Sequence, residues 1–169
     1  GDAVADICRQ VNGIVSVAHY NCPGQIVLTG ESKAVNEAAE RLKEAGARRC
    51  IPLKVSGPFH SMMLKEAGEK LSEVLDTVEV RNFEIPYVTN VTADYVKDPA
   101  QVKELLSRQV YSSVKWQESV ERMIADGIDT FVEIGPGKTL TGFLRKIDRN
   151  VKGISVEKAE DLEKLSQLL

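Results

Sequence analysis

This 169-residue chain carries two histidines, His19 and His60, and one of them stands where chemistry is easily arranged. His60 sits in the run Ser56-Gly57-Pro58-Phe59-His60-Ser61, whose glycine and proline fix the approach to a helix start. An imidazole held between a strand end and a helix is placed for general-base work, because its ordinary pKa of about 6.5 suits proton transfer near neutrality. The competing reading is a helix-entry histidine, partly exposed and without a chemical task. Spacing alone favours that second reading, because no Gly-x-Ser-x-Gly elbow supplies a nucleophile anywhere in the chain. Cys22 could form a Cys-His pair with His60, but it lies beside Pro23 in a turn-rich stretch with no group to activate the thiol.

A second candidate is Gly135-Pro136-Gly137-Lys138-Thr139, which follows a strand and opens a helix in the manner of a phosphate-binding loop. It fails on length. A P-loop needs another glycine five residues before the one that precedes the lysine, and that position is Val132, inside the strand. The turn is too tight to encircle a phosphate, although a helix N-terminus can still attract an anion or a carbonyl oxygen. Metal chemistry has less support. Cys8, Cys22 and Cys50 are odd in number and widely spaced, which argues against both a disulfide framework and Cys-x-x-Cys ligand pairs. With two histidines and no ligand spacing, neither a metal nor a cofactor is expected.

The wider composition sets the class. Apolar residues at 43% and charged residues at 28% are ordinary for a folded, water-soluble domain, and 169 residues suffice to bury a core. A net charge of −3 with no long basic run lacks the footprint of a nucleic-acid binder. No apolar run approaches the roughly 20 residues of a membrane span, and Gly1 to Gln10 has no signal-peptide pattern, so the cytoplasm is the expected compartment.

The elements that must position these residues follow from periodicity. Helical spacing marks Asp2 to Val11, strands Ile14 to Ala18 and Gln25 to Thr29 flank a turn at Tyr20 to Gly24, and Glu31 to Ala45 is a helix with Ser32 as its cap. Arg49 to Val55 reads as a further strand. Helix, strand, strand, helix, strand is a split βαβ unit of the ferredoxin-like kind without its first strand. Beyond Ser56 the pattern predicts helices at His60–Leu75, Pro99–Val110, Trp116–Ala125, Lys138–Ile147 and Glu160–Leu169, with strands at Ile85–Val91, Thr130–Ile134 and Val151–Val156. Strands separated by helices imply an α/β fold with a largely parallel sheet covered on both faces.

Four segments, taken in order, resemble malonyl-CoA:acyl carrier protein transacylases. They are Tyr20-Asn21-Cys22-Pro23-Gly24-Gln25-Ile26-Val27, the stretch from Leu53 to Ser61, Ser107-Arg108-Gln109-Val110-Tyr111, and the stretch from Glu133 to Gly142. The resemblance covers essentially the whole chain. It implies an α/β-hydrolase-like large domain with a ferredoxin-like small subdomain, assigned here as residues 57–169 and 1–56. By position His60 matches the family's catalytic histidine, and Gln109 matches a glutamine whose backbone carbonyl orients that imidazole. Phe59 matches a bulky residue that accompanies selectivity for malonyl over methylmalonyl. Asn21 matches an asparagine near the active-site floor, with a turn role equally open. The implied partners are malonyl-CoA and acyl carrier protein, the latter through Arg145, Lys146, Arg149 and Lys152. A solvated face is the plainer explanation of any one of those four charges.

The family's Gly-His-Ser-x-Gly nucleophile segment, its Gly-Gln-Gly-Ser segment and its malonyl-binding arginine fall outside these 169 residues. The resemblance is therefore to a carboxy-terminal half, inactive by itself and partnered by a missing N-terminal half. Such a half should show bare apolar surface, expected along the helix Asp2 to Val11. The rival expectation is a self-sufficient ligand-binding or regulatory module that uses the Gly135 turn to hold an acyl or phosphate group.

Overall fold

The computed structural model describes residues 1–55 and 57–166. In chain order, α1 (Asp2–Gln10) leads into a hairpin of β1 (Val15–Cys22) and β2 (Gln25–Gly30), and α2 (Ser32–Glu44) leaves it. A 3-10 turn at Met62–Leu64 opens α3 (Lys65–Asp76), followed by the ribbon of β3 (Val88–Thr89) and β4 (Asp94–Tyr95). Then come α4 (Val102–Gln109), α5 (Trp116–Ala125), β5 (Thr130–Ile134), α6 (Thr139–Ile147), β6 (Lys152–Val156) and α7 (Leu162–Ser166). This is a mixed α/β chain.

The hairpin organises the first half. Pro23 presets φ at the first turn position and Gly24 takes φ +78° at the second, the pair a type II turn requires. Strand β1 therefore runs to Cys22, past the turn expected from Tyr20, because Tyr20 and Cys22 find partners in Ile26 and Gln25. Val17 and Ala18 are adjacent and both buried, so both faces of β1 are covered. Helices α1, α2, α5 and α6 all pack against this strand. Val11, Ala34 and Ala38 form the buried cluster beside it, with Val15 and Leu28 packed on them.

Several expectations fail for one reason, that a strand exists only where something pairs with it. Among the described residues there is no large parallel sheet: β5 and β6 pair parallel, whereas β1–β2 and β3–β4 are antiparallel ribbons. The expected strand Arg49–Val55 is irregular, with the Val55 N–H donating back to the Leu53 carbonyl at 3.1 Å. Ile85–Val91 shrinks to Val88–Thr89, because Pro86 has no N–H to donate and the chain reverses at Ala93, where φ is +55°. The last expected helix is formed over Leu162–Ser166, and positions 167–169 of that expectation lie outside the described residues.

Bare apolar surface is present, though not along α1. Val4 and Ile7 are half-buried there and Cys8 and Val11 buried, because α2 and the hairpin cover that helix. The exposed apolar side chains include Ile51, Leu53 and Val55, Ile85 at 81%, and Val132 and Ile134 on alternate positions of β5, with Ile134 at 80%. Parallel strands are ordinarily buried on both faces, so a β5 with one open apolar face is atypical of a finished fold.

Candidate active site

His60 does not begin a helix. It adopts φ +58°, a region that a side chain bearing a Cβ enters only when its surroundings hold it there. The helical run starts after it, where the Ser61 Oγ accepts the Met63 N–H at 3.2 Å and caps the 3-10 turn. Ser61 is fully buried in that cap.

Two carbonyls at the end of α4 hold His60. Its backbone N–H donates to the Val110 oxygen at 3.2 Å, and its ring Nδ1 lies 3.0 Å from the backbone oxygen of Gln109. Both belong to the carbonyls that a helix C-terminus leaves without an intrahelical donor. A carbonyl only accepts, so the proton resides on Nδ1 and Nε2 keeps its lone pair. The Gln109 side-chain Nε2 stands 3.4 Å from the same Nδ1, but an amide N–H also donates, and the shorter contact with the carbonyl decides the tautomer. The negative end of the α4 dipole favours positive charge at this spot, so the helix end does for the imidazole what a buried carboxylate does elsewhere. No hydrogen bond engages the His60 Nε2 among the described residues.

The second histidine is the residue that sequence reasoning missed. His19 projects from β1, and its ring meets that of His60 edge-on, with centroids 5.0 Å apart and planes at 62°. Burial, and then the neighbouring His60, hold its pKa below the ordinary histidine range. No sequence signal joins positions 41 residues apart on separate elements. Its hint was only that it and His60 are the chain's two imidazoles.

The other expected site residues are placed less closely. Phe59 is 57% exposed, its ring turned back toward Gly57. Asn21 lies on β1 at an irregularity between Tyr20 and Cys22, half-buried, and its side chain makes no hydrogen bond among the described residues. Cys22 is buried and its Sγ contacts the Gln25 Oε1 at 3.7 Å; burial raises its pKa, with Lys146 opposing. A thiol in that state is no nucleophile for His60, and the Cys-His alternative falls.

The Gly135 turn is also occupied. Gly135 and Gly137 take φ +139° and +87°, and the turn folds so that the Glu133 carboxylate accepts the N–H groups of Leu140 and Thr141 and the Thr141 hydroxyl at 2.6 to 3.0 Å. Burial pulls the Glu133 pKa upward, but these hydrogen bonds outweigh it and hold the carboxyl below its ordinary value. The α6 N-terminus thus has an anion of its own, which removes the basis for an acyl- or phosphate-holding module. Beside it a cleft of about 330 Å³ between α6 and β6 is lined by Lys138, Thr141, Gly142, Arg145, Gly153, Ile154 and Ser155; neither His60 nor Gln109 borders it.

The pattern of the acyl transferase domain matches residues 3–162. This chain belongs to the acyl transferase domain family. Its sequence is 46% identical over 166 residues to the malonyl CoA-acyl carrier protein transacylase of Bacillus subtilis (strain 168), covering 98% of the chain and 52% of that relative. Its fold matches the crystal structure of MCAT from Streptococcus pneumoniae with a TM-score of 0.94 at 43% identity, over 99% of the chain and 55% of the other. It also matches a malonyl-transacylase in complex with a type II PKS acyl-carrier protein, with a TM-score of 0.96 at 34% identity, over 100% of the chain and 55% of the other. The chain spans about half the length of the curated relatives it matches.

Proposed function

We propose that this chain is the half of a malonyl-CoA:acyl carrier protein transacylase that carries the general base. The observation that carries this reading is the 3.0 Å approach of the His60 Nδ1 to the Gln109 carbonyl, which leaves Nε2 as a free base. The nucleophilic serine comes from the remainder of the enzyme. Nε2 takes the serine hydroxyl proton as the serine oxygen attacks the malonyl thioester carbon. The tetrahedral intermediate collapses, the carbon–sulfur bond breaks, and the imidazolium returns the proton to the departing thiol of coenzyme A. The phosphopantetheine thiol of acyl carrier protein then attacks the malonyl-serine ester, with His60 again the base, so that the two half-reactions alternate. Protonated His60 exists briefly in each, and the α4 C-terminus lowers its energy.

The finer architecture follows the same reading. Residues 1–56 are a ferredoxin-like small subdomain and 57–169 part of an α/β-hydrolase-like large domain. The α1–β1–β2–α2 order supports the first, and the open face of β5 supports the second, since the faces of a parallel sheet are ordinarily covered by helices, and a helix from the remainder of the enzyme would cover Val132 and Ile134. No helix among the described residues is long and apolar enough to cross a membrane, in keeping with an enzyme of the cytoplasm. Arg145, Lys146, Arg149 and Lys152 are exposed and enter no ion pair among the described residues. They offer an acidic carrier a basic surface beside the last turn of α6.

Phe59 sets the acyl group. A ring beside the α-carbon of the bound acyl chain leaves no room for a methyl branch, and such overpacking costs about 1 to 3 kcal/mol, or roughly ten- to a hundredfold in rate ratio. Its exposure fits a ring that awaits a ligand as well as one anchoring the Gly57-Pro58 turn. In the complete enzyme, competition between malonyl-CoA and methylmalonyl-CoA for the carrier tests this. The unaltered enzyme should transfer malonyl, and Phe59→Ser should shift the ratio of specificity constants toward methylmalonyl. A failure to transfer malonyl at all would reject the function; an unmoved ratio would reject only the role of Phe59.

A further inference from the structure

We infer that His19 is a positioning residue for His60, its ring the second of two contacts that fix the catalytic imidazole. This deepens the reading of His60 as general base and rests on it. One hydrogen bond at Nδ1 sets where that nitrogen points, but it leaves the ring free to rock about the N–H···O axis. A second contact on the ring body is required to fix the plane, and with it the direction of the Nε2 lone pair. The edge-on ring of His19 at 5.0 Å is that contact.

The surroundings of His19 are built to place it there. The register of β1 against β2 shifts between Val17 and His19, so that Ala18 is the extra residue of a bulge, a device that re-aims the side chain beside it. A second irregularity follows between Tyr20 and Cys22. On its other side β1 bridges to Val114, whose N–H donates to the Ala18 oxygen at 2.7 Å and whose oxygen accepts the Tyr20 N–H at 2.9 Å, bracketing His19. The Ser113 hydroxyl adds a bond to the Val17 oxygen at 2.6 Å. One stretch, residues 109–114, thus holds both imidazoles: Gln109 and Val110 grip His60, while Ser113 and Val114 grip the strand of His19. Because a single six-residue stretch secures the ring at one end and the strand at the other, the contact between the two rings is built into the fold. The burial that disfavours charge on His19 also suits it to stand beside a ring that gains charge in each half-reaction.

Long-range proton–nitrogen spectra of the ring nitrogens test this on the full 169-residue chain. With two histidines present, replacing His19 leaves His60 as the only imidazole signal. The unaltered chain should show His60 with its proton on Nδ1 alone. His19→Phe, which keeps a ring at this place, should leave the His60 ring as ordered as before, and His19→Ala should keep the proton on Nδ1 but lower the order of the His60 ring, read from the relaxation of its carbon-bound protons. Where the alanine variant loses its dispersed amide spectrum, His19→Val, suited to a strand, takes its place. In the complete enzyme the ring-less variant should lower kcat by on the order of tenfold with KM little changed, and the phenylalanine variant should restore it. A His60 ring as well ordered in the folded ring-less variant as in the unaltered chain would overturn the inference. That outcome leaves the general-base role standing, because that role is read separately from removal of His60 itself.

Discussion

Replacing His60 by alanine in the complete enzyme should slow malonyl transfer by on the order of 10² to 10⁴, the usual share of a general base and roughly 3 to 5 kcal/mol of barrier. The effect is expected in kcat and kcat/KM together, because in the proposed reaction Nε2 accepts its proton only as the serine attacks. Stability should hardly move. The ring is half-buried and makes one hydrogen bond through Nδ1 to a carbonyl at a helix end that water can serve instead. Relief of the φ of +58° at this position offsets little, since alanine also carries a Cβ. Steady-state transfer to the carrier measures the first effect and denaturant unfolding the second. Turnover within tenfold of the unaltered enzyme would remove His60 from the mechanism.

The largest expected effect on the fold is at Gly30. Its φ of +143° is one that side chains avoid, and an added Cβ would overlap the carbonyl oxygen of Ile14 and lie 2.8 Å from the Cα of Val15. Both neighbours are backbone and cannot step aside. The same Ile14 oxygen accepts the Glu31 N–H at 2.8 Å, and Val15 is the register partner of Gly30. Gly30→Ala should therefore destabilise the chain by about 3 to 4 kcal/mol, through overpacking joined to backbone strain. It should also loosen the β1 strand that carries His19. Equilibrium unfolding in urea measures it, and a loss below about 1 kcal/mol would mean that the hairpin end is pliable.

How much of this was legible in the sequence depends on how local each feature is. The helix Trp116–Ala125 and the strand Thr130–Ile134 fall where their periodicity puts them, and β6 and α6 within one residue, because an apolar stripe and its stop signals are short-range. The residues Ile51, Leu53 and Val55 alternate like a strand, yet a strand is a relation between two segments, and among the described residues nothing pairs with them. For His60, the sequence showed a histidine in a glycine-proline loop. Its left-handed backbone is imposed by the end of α4 some 50 residues later, which no local pattern reveals. Gln109 entered through resemblance, since a backbone carbonyl has no residue signature. His19 was invisible for a related reason: what aims it at His60 is a bulge and a bridge to Val114, both products of pairing. The closing of the α6 N-terminus by Glu133 was hidden similarly, as the turn had to fold before the carboxylate could reach Leu140 and Thr141.

In the proposed reaction a malonyl group passes through a serine ester with His60 as the base. Rapid quenching of the complete enzyme with malonyl-CoA alone, followed by intact mass measurement, examines it most directly. One malonyl group should appear on each polypeptide in a fast burst, coenzyme A should be released in equal amount, and His60→Ala should slow the burst by the factor given above. Malonylation of the carrier at the full rate with no malonyl adduct on the enzyme would exclude the serine ester, and with it the role of His60 as its base.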